Sequence, residues 1–141
     1  MTRDEILSVV ERRLAAWNAH DVEAAGSLYA DNAVVISPTG GVLEGRAEIA
    51  RINRLWFSAF PNVQFRADDV LVDGDRVVQV VQASGTHAGE FFGVAPTGRH
   101  LEVQIVTILA IADHLIAEER RIYDFTGFLV QVGVLKAKPN A

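Results

Sequence analysis

The spacing of apolar residues changes once along this chain, near Val63, and that change limits what the chain can fold into. Before Val63, apolar residues recur about every 3.6 positions, the spacing of amphipathic helices. After Val63 they alternate with a period of about 2, the spacing of half-buried strands. Helices followed by a run of strands predict an α+β fold, in which helices cover one face of a sheet.

Capping and stop signals divide the first part of the chain into segments. Asp is a favoured N-cap residue, and proline cannot continue a helix. The predicted elements are a helix over residues 2–18 with Thr2 and Glu5 as its capping box, a shorter helix capped by Asp21, a strand over 33–37 and a helix from Gly45 to Pro61.

Four strand candidates and a terminal helix follow. The strands begin at Val63 and then cover residues 77–86, 101–112 and 115–123. Consecutive strands of this kind predict an antiparallel arrangement, so we expect a curved sheet with helices on one face, which encloses a cavity if the curvature is strong.

Local irregularities are also predicted in this region. The phase of alternation shifts at Asp68-Asp69, which predicts a β-bulge. The tight turn at Asp113-His114 requires a positive φ at His114. Thr126 is a candidate cap for the last helix.

Composition removes several classes of function. The chain has 13 Lys and Arg against 18 Asp and Glu, a formal net charge of −5, and its basic residues are scattered. Nucleic acid is therefore not an expected partner, because phosphate recognition needs a basic stripe. The absence of cysteine excludes thiol catalysis, iron–sulfur clusters and cysteine-ligated zinc.

We expect a cytoplasmic protein with no membrane partner. The most apolar run, residues 105–112, is much shorter than the roughly 18 residues of a membrane span. The charged N-terminus lacks the apolar region of a secretory signal. The 141 residues are expected to form one domain, with residues 136–141 as a loose tail.

Sequence signatures of cofactor and metal enzymes are missing. The chain contains no Gly-x-Ser-x-Gly elbow, no phosphate-binding loop, no dinucleotide fingerprint and no His-Glu-x-x-His. His100 and Glu102 share a strand face, but a metal site needs a third ligand. Hydrolase, kinase, dehydrogenase and zincin functions therefore lose their usual support, and a structural or solvated role is expected for His100 and Glu102.

Asp124 is the principal catalytic candidate. It ends an apolar strand between Tyr123 and Phe125, where an enclosed pocket would have a wall. Burial among aromatic rings raises the pKa of a carboxylic acid and suits it to acid–base catalysis. The alternative is that Asp124 caps the following helix.

Other candidates surround the expected cavity. His87 lies where a strand enters a glycine-rich loop, from which it could reach the cavity mouth; a surface role is the alternative. Gln104 interrupts an apolar strand and, if buried, needs a hydrogen-bond partner such as a substrate oxygen. Apolar faces of helices are normally core, so core is the favoured role of Trp17, Trp56, Phe60 and Phe128. Of these, Trp17, Phe60 and Phe128 are the candidates for substrate contact. The paired Arg120 and Arg121 are interpreted as solvent-facing or dimer-surface residues.

Short motifs along nearly the whole chain resemble the SnoaL-like polyketide cyclases, within the wider fold shared with nuclear transport factor and ketosteroid isomerases. The most specific are Gly-Thr-His-x-Gly-Glu-Phe at 85–91 and Pro-Thr-Gly-Arg at 96–99. The other resembling stretches are AWNAHD at 16–21, LYAD at 28–31, GRAEI at 45–49, FPNV at 60–63 and LVQVG at 129–133.

The resemblance implies a curved, mixed but mostly antiparallel sheet that forms a cone-shaped α+β half-barrel around an apolar cavity, usually in a homodimer packed through the sheet. It further implies that no metal and no organic cofactor takes part. It also implies that Asp124 matches the family's acid–base carboxylate, which removes a proton between carbonyls so that the enolate can attack a second carbonyl and close a ring. His87 or Gln104 would then stabilise the developing oxyanion. The expected substrate is a small hydrophobic carbonyl compound.

Two positions depart from the family pattern. Members often carry Glu-His-Trp on the last strand, where this chain has Glu118-Glu119-Arg120, and a histidine near the end of the first strand, where it has Ile36-Ser37-Pro38. Function belongs to the site rather than the fold, so other reactions stay open. The alternatives are an isomerase or an epoxide hydrolase on the same scaffold, or a binding module without catalysis.

Overall fold

The computed structural model describes residues 1–136 and contains helices and strands in the predicted order. The predicted tail, apart from Lys136, lies outside the described residues. The elements are α1 (Arg3–Asn18), α2 (Val22–Gly26), β1 (Tyr29–Ser37), β2 (Gly41–Glu44), α3 (Gly45–Ala59), β3 (Gln64–Asp73), β4 (Arg76–Thr86), β5 (His100–Ala112), β6 (Leu115–Ile122) and α4 (Phe125–Gln131).

The strands form one curved, mixed sheet with the order β2-β1-β6-β5-β4-β3. Strands β3 to β6 pair antiparallel with their neighbours in sequence, as predicted, whereas β1 pairs parallel with β6. Helices α1 and α3 pack against strands of this sheet. The α+β arrangement predicted from the change in hydrophobic period and the half-barrel implied by the resemblance are therefore confirmed.

Most of the predicted local signals are confirmed. Thr2 and Glu5 form the capping box of α1, and Asp21 caps α2. The register of β3 shifts between Ala67 and Asp69, which is the predicted bulge. His114 has φ 65°, in the left-handed region.

Strands β1 and β2 differ from the prediction. Strand β1 begins at Tyr29 rather than at residue 33, and β2 was predicted only as a turn. Leu28 and Tyr29 continue the helical spacing of α2, but α2 ends at Gly26 and the main chain of Leu28 bonds Ile116 at the start of β6. Pairing with the sheet therefore overrides the local helical pattern.

The buried side chains form two main groups. One, which we call the filled core, lies among α1, α3, β1 and the inner faces of the other strands, and includes Ile6, Val35 and Leu109. The other, the aromatic cluster, lies near the end of α3 and α4, and includes Phe60, Phe91 and Phe128. Trp56 contacts both groups.

The end of α1 is fastened to β3 by side chains of the AWNAHD stretch. The amide of Asn18 donates to the carbonyl of Phe65 (2.9 Å) and accepts from its N–H (2.7 Å). His20 Nε2 lies 2.7 Å from the carbonyl oxygen of Val63, and its ring stacks on Phe57. These contacts fix Trp17, one residue before Asn18, over the inner face of the sheet.

No helix among residues 1–136 combines the length and the apolar character needed to cross a membrane.

Candidate functional site

A largely apolar pocket lies between the helices and the inner face of the sheet. The empty space between its walls, including the part that is open to solvent, is about 650 Å³. The pocket is lined by Trp17, Asn53, Trp56, Phe57, Phe60, Val63, Phe65, Ala83, Leu101, Val103, Ile105, Arg121, Tyr123 and Phe128.

Trp17, Phe60 and Phe128, the aromatic residues selected from the sequence, all line this pocket. Trp56 joins them, with its ring centre 5.3 Å from that of Phe128 and 6.0 Å from that of Phe60. Such walls favour flat or cyclic apolar ligands. That these three residues contact a substrate stays a prediction.

Gln104 lies outside the pocket, contrary to the expectation of a buried polar group. It is exposed and sits opposite Gln82 on β4. Its neighbours Val103 and Ile105 line the pocket. Successive residues of a strand point to opposite faces, so Gln104 lies on the outer face of the sheet and cannot reach a ligand inside.

Asp124 is also placed differently from the expectation of a buried carboxyl group. It is exposed, and it is the N-cap of α4, where Oδ1 accepts from the N–H of Gly127 at 2.8 Å. Thr126, the other candidate cap, lies inside the helix. The capping alternative for Asp124 is thus confirmed, while its role as a base stays a prediction.

His87 is completely buried rather than placed at the cavity mouth. Its Nδ1 lies 2.9 Å from Thr97 Oγ1 and accepts from the N–H of Thr97, and its ring stacks on Phe60. Because Nδ1 is the acceptor, the proton of a neutral ring sits on Nε2. His87 therefore joins the two most specific motifs to each other, and its catalytic role stays a prediction.

Gly89 gives that motif a second structural task. The N–H groups of Ala88 and Gly89 both donate to the carbonyl of Ala59 at the end of α3. A Cβ on Gly89 would lie 2.1 Å from the carbonyl oxygen of Ser58. Only glycine allows this close approach, which holds the loop against α3 beside the pocket.

A buried ionic cluster borders the pocket, and it was not predicted. Arg13 Nη2 and Arg121 Nε both donate to Glu119 Oε2, at 2.7 and 2.5 Å, and the Tyr29 hydroxyl donates to Glu119 Oε1. Arg13 Nε donates to the Tyr29 oxygen at 3.1 Å. The cluster ties α1 and β1 to β6.

Burial and the neighbouring charges shift the pKa of Glu119 in opposite directions. Burial alone would raise the pKa of Glu119, but the guanidinium groups of Arg121 and Arg13 lower it to about 2. Burial raises the pKa of Tyr29, so its hydroxyl stays protonated. Glu119 is therefore a fixed carboxylate rather than a group ready to exchange protons.

The phase of β6 explains why this cluster was missed. Ala110 pairs with Glu118 and Ile111 pairs with Ile116, so Ala117 is an extra residue in the ladder. Such a bulge reverses the alternation, and Glu119 and Arg121 turn inward while Arg120 stays exposed. The interpretation of Arg121 as a surface residue was wrong for this reason.

Three residues on the pocket wall carry buried donors with no hydrogen-bond partner among residues 1–136. They are Trp17 Nε1, Asn53 Nδ2 and Arg121 Nη2. Arg121 Nη1 donates to Asn53 Oδ1 at 3.2 Å, which orients the amide. A buried donor left unpaired costs about 1–3 kcal/mol, so these three donors are available to an acceptor inside the pocket.

Residues 1–136 contain no group of three or more His, Asp or Glu side chains placed to hold a metal ion. His100 and Glu102 are both exposed, with 3.5 Å between Nε2 and Oε1. They form a surface pair on the outer face of β5.

Comparisons with solved structures agree with this architecture. AclR from Streptomyces galilaeus, named as a candidate hydroxylase, is 25% identical with a TM-score of 0.87, covering 99% of this chain and 87% of AclR. IdmH from Streptomyces antibioticus, named as a candidate polyketide cyclase, is 29% identical with a TM-score of 0.79, covering 91% and 98%. A Catenulispora acidiphila protein with a ketosteroid isomerase-like fold is 21% identical with a TM-score of 0.77, covering 89% and 92%.

The family is identified by comparison with family models. No curated protein matches the chain. The family model described as SnoaL-like polyketide cyclase, however, matches residues 8–132. That stretch includes the pocket, the ionic cluster and both specific motifs, and the chain therefore belongs to the SnoaL-like polyketide cyclase family.

Proposed function

We propose that this chain is a cofactor-independent cyclase that forms and holds the enolate of a small apolar carbonyl compound. The observation that carries the proposal is an aromatic-walled pocket with unpaired donors on Asn53, Arg121 and Trp17. Donors set in a low-dielectric site stabilise negative charge as it develops on an oxygen. The family match and the name of IdmH support a cyclase.

The proposed reaction needs one base and one set of donors. A base removes a proton from carbon next to a carbonyl, and the enolate oxygen is held by Arg121 and Asn53. The enolate carbon then attacks a second carbonyl of the same molecule, and the new alkoxide takes up a proton. The pocket walls fold the substrate so that the two carbons meet.

Asp124 is the proposed base. It lies in the chain between Tyr123 and Phe128, which both line the pocket. At this position Asp124 would act on the part of the substrate nearest α4. Its bond to the N–H of Gly127 engages Oδ1 in the unliganded protein, and catalytic contacts often tighten only once substrate is bound.

Proton exchange tests this function without knowledge of the natural substrate. The probe is 2-tetralone, a bicyclic ketone, and the measurement is the rate at which its C1 protons exchange with D₂O, followed by NMR. Wild-type protein should accelerate exchange, and Asp124→Asn should lower that acceleration roughly 10²- to 10⁴-fold, the contribution of a positioned general base.

Asp21→Asn is the matched control, because Asp21 also caps a helix but neither of its neighbours in the chain lines the pocket, whereas Tyr123 beside Asp124 does. It should exchange 2-tetralone as fast as wild type. Full activity in Asp124→Asn would remove Asp124 from the proposal, and no acceleration by wild type would remove the enolising function.

A binding module without catalysis is the second candidate. It is favoured by the exposed, helix-capping position of Asp124 and by a pocket lining without a carboxylate among the described residues. Its signature is saturable binding of 2-tetralone with no acceleration of exchange. An epoxide hydrolase is less well supported, because neither Arg99 nor Arg120 forms an ion pair with Asp124 in the described part of the chain.

We also propose that two copies of the chain pack through the outer sheet face. On that face Val80 pairs with Val106, and Val106 with Ile122, which is 51% exposed. Val106→Glu should convert a dimer into a monomer in sedimentation velocity. Phe92→Glu, at an exposed position in the loop between β4 and β5, is the control that should leave the mass unchanged. A monomeric wild-type protein would contradict this assembly.

A further inference from the structure

The ionic cluster beside the pocket carries an excess positive charge. Arg13 and Arg121 are guanidinium ions, Glu119 is a carboxylate and Tyr29 is neutral, so the net charge is +1. All four residues are buried, and no carboxylate lines the pocket among the described residues. A net charge taken out of water is costly unless an opposite charge meets it.

We infer that the pocket binds its ligand as an anion: a flat apolar compound whose polar end is an ionised acidic oxygen group, a carboxylate or an ionised enol, held against Arg121 and Asn53. The inference rests on the proposed function only in placing the ligand in this pocket. It adds that the bound form already carries the charge before any proton is removed by the protein.

The capacity of Arg121 is the first step of the argument. Its Nε is used by Glu119 and its Nη1 by Asn53, while Nη2 has no partner among residues 1–136. Glu119 does not accept from that donor, since its oxygens take Arg13 Nη2, Arg121 Nε and the Tyr29 hydroxyl. The remaining edge of Arg121 therefore has no acceptor among the described residues and can bind one that enters the pocket.

Asn53 supplies the second donor, and its direction is set by Arg121. A guanidinium can only donate, so the amide must present Oδ1 to Arg121 Nη1, and Nδ2 faces away from it. Asn53 and Arg121 both border the pocket and are 4% and 8% exposed. Two donors on one wall match the two oxygens of a carboxylate or of an ionised 1,3-dicarbonyl.

The charge of the ligand distinguishes this inference from a pocket that binds any ligand with an oxygen acceptor. A neutral ketone would satisfy the donors but leave the excess positive charge uncompensated. An anion meets both needs. Its oxygens accept the hydrogen bonds from Arg121 and Asn53, and its charge offsets the excess positive charge of the cluster. The aromatic walls, including Trp56 and Phe128, accept the ring of such a ligand.

The experiment compares two probes of the same shape, 2-naphthoate and 2-naphthamide, by isothermal titration calorimetry at neutral pH. The acid is ionised and the amide is neutral. Wild-type protein should bind 2-naphthoate roughly 10- to 100-fold more tightly, the range expected for a hydrogen bond to a charged group. Equal affinities, or a preference for the amide, would overturn the inference.

Variants of Arg121 and Asn53 test whether the preference for 2-naphthoate arises at this site. Arg121→Gln should remove it, while Arg120→Gln, which takes the same charge from the exposed face of β6, should retain it. Asn53→Asp is a second variant that keeps the side-chain volume and the contact with Arg121. It should lose 2-naphthoate and still bind 2-naphthamide, and unchanged 2-naphthoate affinity in folded Asn53→Asp contradicts the inference.

The outcomes also separate this inference from the proposed function. Equal binding of both probes, together with exchange of 2-tetralone, would leave the cyclase proposal standing and remove only the anionic ligand class. A clear preference for 2-naphthoate without exchange would support the anion site and remove the enolising function. Failure of both probes to bind would overturn the anion site.

Discussion

The guanidinium carbon of Arg13 lies 3.8 Å from the centre of the Trp17 ring. These residues are one helical turn apart on α1, and the contact is a cation–π interaction. Arg13 belongs to the buried ionic cluster, and Trp17 lines the pocket. Disturbance of the cluster should therefore change both the stability of the fold and the shape of the pocket wall.

Glu119→Gln should destabilise the protein strongly. Removing one partner of a buried ion pair costs about 3–5 kcal/mol, because the guanidinium groups stay buried without their counter-charge. Urea denaturation measures the loss in free energy of unfolding. The control is Glu118→Gln, an exposed neighbour whose loss should stay within about 0.5 kcal/mol. Similar effects of both substitutions would show that the cluster does not hold α1 to the sheet.

Stability should also depend on pH through Glu119. Its pKa falls from 4.5 to about 2 on folding, so the stabilisation is present above the unfolded value and is lost as pH drops toward the folded one. The unfolding free energy of wild type should therefore decrease as the pH falls from 4.5 to about 2. The gap between wild type and Glu119→Gln should narrow over the same range, because glutamine does not titrate. A constant gap would contradict the assignment.

Gly89→Ala should destabilise the loop that follows β4. Its new Cβ would meet the Ser58 carbonyl oxygen at 2.1 Å, so α3 or the loop must move. We expect a loss of about 1–3 kcal/mol, as for overpacking in a core, measured by thermal unfolding. Gly26→Ala is the control, because a Cβ there meets nothing within 4 Å. Equal melting temperatures for the two variants would contradict the close approach.

Asp124→Ala should remove the cap of α4. Loss of an N-cap side chain costs about 1 kcal/mol, and Asn, which caps as well as Asp, should cost little. Chemical denaturation of both variants gives the comparison. This difference matters for the exchange experiment, because it makes Asp124→Asn a probe of the acid–base role with the fold preserved. An alanine variant as stable as wild type would show that the Gly127 bond is not stabilising.

His87→Phe should loosen the loop around Thr97. Phenylalanine keeps the ring against Phe60 but removes the Nδ1 acceptor, leaving the Thr97 N–H without its bond. The unpaired group costs about 1–3 kcal/mol, and amide hydrogen exchange at Thr97 should accelerate. His100→Phe, at an exposed position, should change neither quantity. Unchanged exchange at Thr97 would mean that His87 does not hold this loop.

Much of the fold could be predicted because the signals are local. The change of hydrophobic period at Val63, the cap at Asp21 and the turn at His114 each depend on neighbours in sequence. Strand β2 and the early start of β1 could not be predicted in this way. They exist because β1 finds partners on both sides, and those partners are distant in the chain.

The site was harder to predict, because it depends on which face of a helix or strand each side chain lies on. Trp17 and Phe128 reach the pocket from helical faces that the spacing identifies. Gln104 was selected because a polar residue that interrupts an apolar strand would need a partner if it were buried. It lies on the outer face of β5 and is exposed. Arg121 was assigned to the surface because no sequence signal marks the extra residue at Ala117.

The separation of the filled core from the aromatic cluster lets two properties change independently. Residues such as Val35 and Leu109 sustain the fold without lining the pocket, whereas Phe60 and Phe128 shape the cavity. Reshaping the cavity therefore leaves the packing of Val35 and Leu109 in place, and Trp56, which contacts both groups, is the residue that connects them. A chain built in this way can acquire a new ligand by a few aromatic substitutions, while the ionic cluster continues to present the same charge to whatever enters.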